Sequence, residues 1–175
     1  PDAQIKVIDD KESLSLGKHT LQFYLTSLVH WPETMMTYVP EEKLLFSGDA
    51  FGTFGALEGD VLDKEVDFEA YRDEARRYYS NIVGKYAKPV QKALKKLADL
   101  DIKTIASTHG PVWQKHIPDM LELYQQWSKF EAEKGVVIAF GSMYGNTEKV
   151  ADEIARRLKA HGVEQVKIHD VSKTH

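Results

Sequence analysis

The sequence contains no cysteine. That excludes disulfides, cysteine-ligated zinc or iron–sulfur sites, and thiol nucleophiles. It has no apolar run long enough to cross a bilayer and no leader-like N-terminus, so a cytoplasmic protein with no membrane partner is expected. The start at Pro1 rather than Met suggests a piece of a longer chain. There is no excess of positive charge. With 23 Lys and Arg against 27 Asp and Glu the net charge is −4, which leaves no general nucleic-acid footprint. Also missing are internal repeats, low-complexity tracts and any like-charge run long enough for a disordered tail. What is there is 175 residues with 42% apolar content, enough for a real core in one large domain or in pieces of two.

Residues 136–158, VVIAF-GSMYGNT-EKVADEIARRL, are the most informative stretch. Val136 to Phe140 is a short β-branched run of the kind found in buried parallel strands. After it, Val150, Ile154 and Leu158 recur at helical spacing with Ala151 and Ala155 beside them, which predicts an amphipathic helix capped by Asn146. A strand-to-helix loop of this kind aims backbone N–H groups and the positive end of the helix dipole at a ligand above the strand. Ser142, Asn146 and Thr147 add side-chain donors, and Gly141 and Gly145 permit tight turns. The loop holds no lysine and fits neither GxxxxGK[ST] nor GxGxxG, so it suits a single phosphate held by neutral hydrogen bonds. An ordinary, well-capped strand-to-helix turn uses the same residues.

Before the loop, strands are expected at Ile5–Ile8, Thr20–Thr26, Met35–Val39, Leu44–Phe46 and Asp101–Ala106, with a hairpin turn at Pro40–Glu42. Helices are expected from Phe68 to Val83 with Tyr71, Ala75 and Tyr79 inward, from Pro89 to Leu100 with Val90, Leu94 and Leu97 inward and Lys92, Lys95 and Lys96 outward, and from Pro118 to Glu131. The charged segment Glu131–Gly135 reads as a domain boundary. This order predicts an α/β or α+β block followed by a fresh α/β start.

Three apolar runs end alike. TLQFYLTSLVH, KLLFSGD and KTIASTH each lead to a His or Asp and then a turn. Side chains at successive strand ends can converge on one rim of a sheet, so His30, Asp49 and His109 are candidates to meet. Two imidazoles and a carboxylate suit zinc, iron or manganese, and a bridging Asp49 would suit a two-metal site. The same set could serve as an acid/base pair in a hydrolase, or as turn and capping residues with no chemistry. His19, His116, His161, His169 and His175 have no partner at ligand spacing and read as surface or turn residues. Trp31, Trp113 and Trp127 read as core or site-wall residues, and Phe51 and Phe54 as packing around Asp49 or the lining of a small pocket. The lysines at 88, 92, 95 and 96 read as a solvated helix face, with steering of an acidic partner as the alternative.

HWPETM, FSGDAFG and STHGPVW resemble the later metal-ligand motifs of the metallo-β-lactamase-like domain of flavodiiron proteins, and GSMYGNTE resembles the phosphate loop of their flavodoxin-like domain. Eighteen residues, Trp31 to Gly48, separate His30 from Asp49, and fifty-nine, Ala50 to Thr108, separate Asp49 from His109, close to the family's spacing. The resemblance implies the C-terminal part of an αββα metallo-β-lactamase-like domain over residues 1–132 and the first βαβ of a flavodoxin-like domain over 133–175, both incomplete.

It further implies that His30 binds one iron, His109 the other, and that Asp49 bridges them, while Ser142, Met143, Tyr144, Gly145, Asn146 and Thr147 surround the FMN phosphate. Met143 and Tyr144 would act mainly through main-chain N–H groups. The implied activity is reduction of O2 or NO at a non-haem diiron site fed by FMN, with a rubredoxin-type donor and a head-to-tail homodimer or larger oligomer. The family's upstream H-x-E-x-D-H motif, which supplies most ligands, does not precede His30. The 175 residues alone are therefore expected to be inactive unless an upstream segment or partner completes them. Two other readings remain open: a flavin-binding electron-transfer module with a degenerate metal domain, and a metal-dependent hydrolase fused to a flavodoxin.

Overall fold

The computed structural model describes residues 4–57 and 59–173, so His175 lies outside the described residues. The chain forms two compact units, Pro1–Glu131 and Ala132–His175.

The first unit is built on a five-stranded sheet in the order β1-β2-β3-β4-β5. Its strands are β1 (Ser13–Ser15), β2 (Thr20–Leu25), β3 (Met35–Val39), β4 (Leu44–Gly48) and β5 (Thr104–Ser107). The first four form an antiparallel meander, and β5 joins parallel to β4. The turn expected at Pro40–Glu42 does join β3 to β4. A parallel neighbour needs a long crossover. Here the crossover carries α1 (Phe68–Tyr78) and α2 (Ala87–Leu97), and α3 (Ile117–Ser128) follows β5. Two antiparallel steps make β2 parallel to β4, so β2, β4 and β5 all end on the same edge of the sheet.

The sheet buries one face. Tyr38, Leu45 and Ile105 lie in one row, are almost fully buried, and pack with Val83, Val90, Met120 and Tyr124 from the helical layer. Phe46, one residue along β4, points the other way and is 47% exposed. That alternation is what a sheet with one covered face requires.

Ile5–Ile8 is not a strand: Ile5 and Val7 are exposed, and the edge of β2 is taken instead by the short, polar β1. Among the described residues no strand pairs with 5–8. The helices fall close to expectation, with one change of register. Asp67 caps α1 by accepting from the N–H groups of Glu69 and Ala70. The helix then widens into a π-turn at Tyr79–Val83, a known way to re-aim side chains. Both Tyr78 and Tyr79 become buried as a result, whereas Tyr71 is only half-buried and donates its hydroxyl to the Ala56 carbonyl at 2.8 Å. Lys96 does not simply face solvent: its ammonium binds both carboxylate oxygens of Asp10 and the Leu25 carbonyl (2.9, 2.8 and 2.7 Å), tying α2 to the end of β2.

The second unit is one βαβ. Strand β6 (Val136–Phe140) pairs parallel with β7 (Val166–Asp170), and α4 (Asn146–Ala160) connects them. Two expectations change here. The residue before the helix is Gly145, with φ +76°, so it and not Asn146 occupies the N-cap. The buried face of α4 is Ala151 and Ala155, while Val150 and Ile154 are 58% and 45% exposed. Small side chains let the helix lie close on its two strands, and the larger residues flank that contact.

Candidate functional site

The shared edge of β2, β4 and β5 brings the three strand-end candidates together. Asp49 directly follows β4, and His109 comes two residues after β5. His30 is not at a strand end proper. It sits in the loop between β2 and β3, which is closed by the Thr26 N–H donating to the Thr34 carbonyl (2.9 Å) and by three hydrogen bonds between Thr34 and Trp31.

The Asp49 carboxylate lies between the two imidazoles. Its Oδ2 is 3.0 Å from His30 Nε2, and its Oδ1 is 3.6 Å from His109 Nε2. Each oxygen thus faces a different histidine. The Thr108 hydroxyl also donates to Oδ1. Burial works to raise the Asp49 pKa, but the bonds from Thr108 and His30 and the two nearby imidazoles outweigh it and hold the carboxyl below its usual range. Trp31, expected in the core or a site wall, is 61% exposed and tilts beside His30 with ring centroids 5.5 Å apart. On the other side Tyr78 lies 5.8 Å from His109, its pKa pushed up by burial and then by the Asp49 charge, so it stays protonated.

Beneath Asp49 the turn is held by groups that sequence reasoning did not find. Phe51 has φ +64°, a conformation that is uncommon without glycine. Its N–H donates to the Tyr124 hydroxyl at 2.7 Å, and its carbonyl accepts from Trp113 Nε1 at 2.8 Å. Both partners are at most 1% exposed. Phe51 itself is buried against the Tyr124 ring, at 4.6 Å, and Phe54 packs on Tyr78, so both read as packing. Further off, Asp63 is fully buried. It accepts from the N–H groups of Gln114, Lys115 and His116 (3.0, 3.1 and 2.8 Å), which fixes the turn into α3. His116 belongs to that turn, stacked on Phe68 and bonded to Asp119, and His19 pairs with Glu42 at 2.9 Å.

In the second unit the loop 141–147 stands open above the end of β6. Met143 and Tyr144 are 85% and 84% exposed. Among the described residues, no N–H group from Ser142 to Glu148 donates to a protein acceptor. These donors sit at the N-terminus of a four-turn helix, where the dipole favours an anion.

The sequence profile described as "ODP family beta lactamase" matches residues 2–110, and the profile "Flavodoxin" matches 138–175. A nitric oxide reductase from Moorella thermoacetica is 38% identical over 173 residues, covering 98% of this chain and 43% of that protein. The crystal structure of the flavodiiron protein from Giardia intestinalis aligns with a TM-score of 0.86 at 32% identity, over 97% of this chain and 41% of that one. The chain belongs to the flavodiiron family of ODP beta-lactamase proteins. Rubredoxin oxygen:oxidoreductase from Desulfovibrio gigas aligns with TM-score 0.89 at 30% identity, over 100% of this chain and 44% of that one. The chain therefore spans less than half the length of each of these proteins.

The family implies FMN and a non-haem diiron site, and the residues present can be tested against both. Two donors bound to one ion at about 2.1 Å with angles of 90–120° stand roughly 3.0–3.6 Å apart. The separations of His30 and His109 from their facing oxygens of Asp49, 3.0 and 3.6 Å, match that range. Among the described residues no group of three or more His, Cys, Asp or Glu is arranged to hold one metal ion. The donors fall instead into two pairs that share Asp49, His30 with Oδ2 and His109 with Oδ1. By these distances the set would fit the bridging part of a dinuclear centre, with two donor atoms facing each half. The loop fits a phosphate by its free N–H groups and by the absence of any acidic side chain between Gly141 and Thr147.

Proposed function

We propose that the complete protein is an oxidoreductase that reduces dioxygen, nitric oxide or both at a pair of non-haem irons fed by FMN. The observation that carries this reading is the Asp49 carboxylate, with one oxygen toward His30 and the other toward His109. When bound, the irons supply a place for a small diatomic substrate and electrons received from the flavin. In this reading His30 and His109 would each hold one iron and Asp49 would hold both, as the catalytic ligands of this chain. The Tyr124–Phe51–Trp113 brace fixes the turn that aims Asp49. Ser142, Met143, Tyr144, Gly145, Asn146 and Thr147 grip the FMN phosphate, the two exposed side chains of Met143 and Tyr144 leaving that work to their N–H groups.

Three residues with four donor atoms cannot fill the coordination of two irons, so the activity is assigned to the complete protein and not to these 175 residues. A rubredoxin-type donor is supported by the name of the similar Desulfovibrio gigas protein, and the substrates by the names of that protein and of the Moorella reductase. A head-to-tail homodimer would place one subunit's flavin beside the other's metals. No helix of the described residues is long and apolar enough to cross a membrane, and we assign the protein to the cytoplasm. The test is metal and flavin analysis of the full-length protein with anaerobic NO and aerobic O2 consumption. About two irons and one FMN per chain with turnover support the reading. Zinc with esterase activity, or flavin without metal, contradicts it.

A further inference from the structure

We propose that Thr108 is a positioning residue for the shared carboxylate, its hydroxyl holding Asp49 Oδ1 on the His109 side so that each imidazole keeps an oxygen of its own. This rests on Asp49 as the bridging ligand.

A carboxylate is loosely defined about its last torsion, which is broad and two-fold. Asp49 is also about a third exposed, so packing alone does not orient it. His30 engages Oδ2 at 3.0 Å, whereas His109 stands farther off at 3.6 Å and is itself more than half exposed. With nothing on Oδ1, the group could turn both oxygens to one half-site and leave the other with a single donor. The Thr108 hydroxyl supplies the missing restraint by donating to that oxygen. Accepting it uses one lone pair and leaves another for a metal.

Its delivery is built into the sheet. The Thr108 N–H donates to the Gly48 carbonyl at 2.9 Å, extending the pairing of β4 and β5 to the residue beside Asp49. The same ladder that places the carboxylate therefore places the hydroxyl. A β-branched side chain has few χ1 choices, which keeps the donor on target. The neighbouring Ser107 makes the contrast: its hydroxyl bonds locally, to the His109 carbonyl at 2.8 Å, as serine at a strand end commonly does. Thr108 reaches instead across 59 residues of sequence to the candidate ligand.

Partners of this kind commonly alter metal affinity by about 10–100-fold. The test uses full-length protein stripped of metal and titrated with cobalt(II), read by its visible absorption and by the magnetic coupling of the two ions. Thr108→Val, which keeps the shape and removes the donor, should weaken binding of one of the two equivalents by about 10-fold or more and reduce the coupling. Thr108→Ser should restore both. Wild-type affinity and coupling in Thr108→Val would overturn the proposal, as would failure of Thr108→Ser to rescue them. If Thr108→Val does not fold, Thr108→Ala, which also removes the donor, is read against the same two outcomes. Asp49→Ala separates the two levels. Should it bind both equivalents like wild type, the bridging reading itself is wrong. Loss of metal there with unchanged Thr108→Val sinks only the role of Thr108.

Discussion

Gly110→Ala should damage the chain at the candidate metal centre, by an amount that follows from two features of the position. Gly110 comes immediately after His109 and has φ +81°. A left-handed conformation is worth about 1–2 kcal/mol against a residue with a Cβ. The added Cβ would also overlap the Thr53 hydroxyl and stand 3.1 Å from both the Cβ and the backbone N of Thr53. Thr53 is 3% exposed, and its N–H donates to the His109 carbonyl at 3.3 Å, so its backbone has little room to yield. Overpacking of this kind is worth about 1–3 kcal/mol. The two effects add to about 2–5 kcal/mol. With a urea slope of about 2 kcal/mol/M, the unfolding midpoint should fall by roughly 1–2.5 M. All three tryptophans, Trp31, Trp113 and Trp127, lie in the first unit, so fluorescence follows its unfolding. Thr53→Ala removes the hydroxyl and not the backbone strain. Gly110→Ala should therefore be milder in that background, by about 1 kcal/mol, whereas Thr53→Ser should give no relief. An unchanged midpoint in Gly110→Ala, or an equal loss in both backgrounds, would refute the packing described between His109 and Thr53.

Tyr124→Phe should lower stability by about 1–3 kcal/mol, because it leaves the buried Phe51 N–H without its acceptor, and urea midpoints measure it. The folded Asp49 pKa is depressed, so its contribution is fully present above the ordinary carboxylate pKa of about 3.9 and is lost as pH falls through the lower folded value. In metal-free protein the midpoint advantage of wild type over Asp49→Asn should hold from neutral pH down to about 5 and shrink below about 4; a difference independent of pH contradicts this. Joint replacement of Ser142 and Thr147 by Ala should weaken FMN retention about 10-fold or more by equilibrium dialysis, and unchanged affinity would leave the loop as a helix turn only.

The legible parts of this molecule were local in sequence. The βαβ unit could be read because an apolar strand, a glycine-rich loop and an amphipathic helix follow one another within 136–158. The meeting of His30, Asp49 and His109 was readable because each apolar run ends near its candidate, although His30 proved to lie in a loop beyond β2. Misses came where neighbours in space decide. Ile5–Ile8 is apolar like a strand, yet among the described residues it is the polar β1 that pairs with β2. Val150 and Ile154 look like an inner face until Ala151 and Ala155 are seen to make the close contact. Asn146 is a good cap by type, but the turn needs a positive φ, which Gly145 supplies. Trp113 and Tyr124 support the Asp49 turn from 62 and 73 residues away from Phe51, a distance at which no spacing rule speaks. Thr108 was within reach, since it directly precedes His109 in STHGP.

His30, Asp49 and His109 are proposed as the shared side of a two-iron centre. Anomalous diffraction at the iron edge from crystals of the full-length, iron-loaded protein tests it most directly. Two iron peaks are expected, one within bonding distance of His30 and the other of His109, with the Asp49 carboxylate between them and bound to both. A single peak, or two peaks that leave Asp49 unbound, would contradict it.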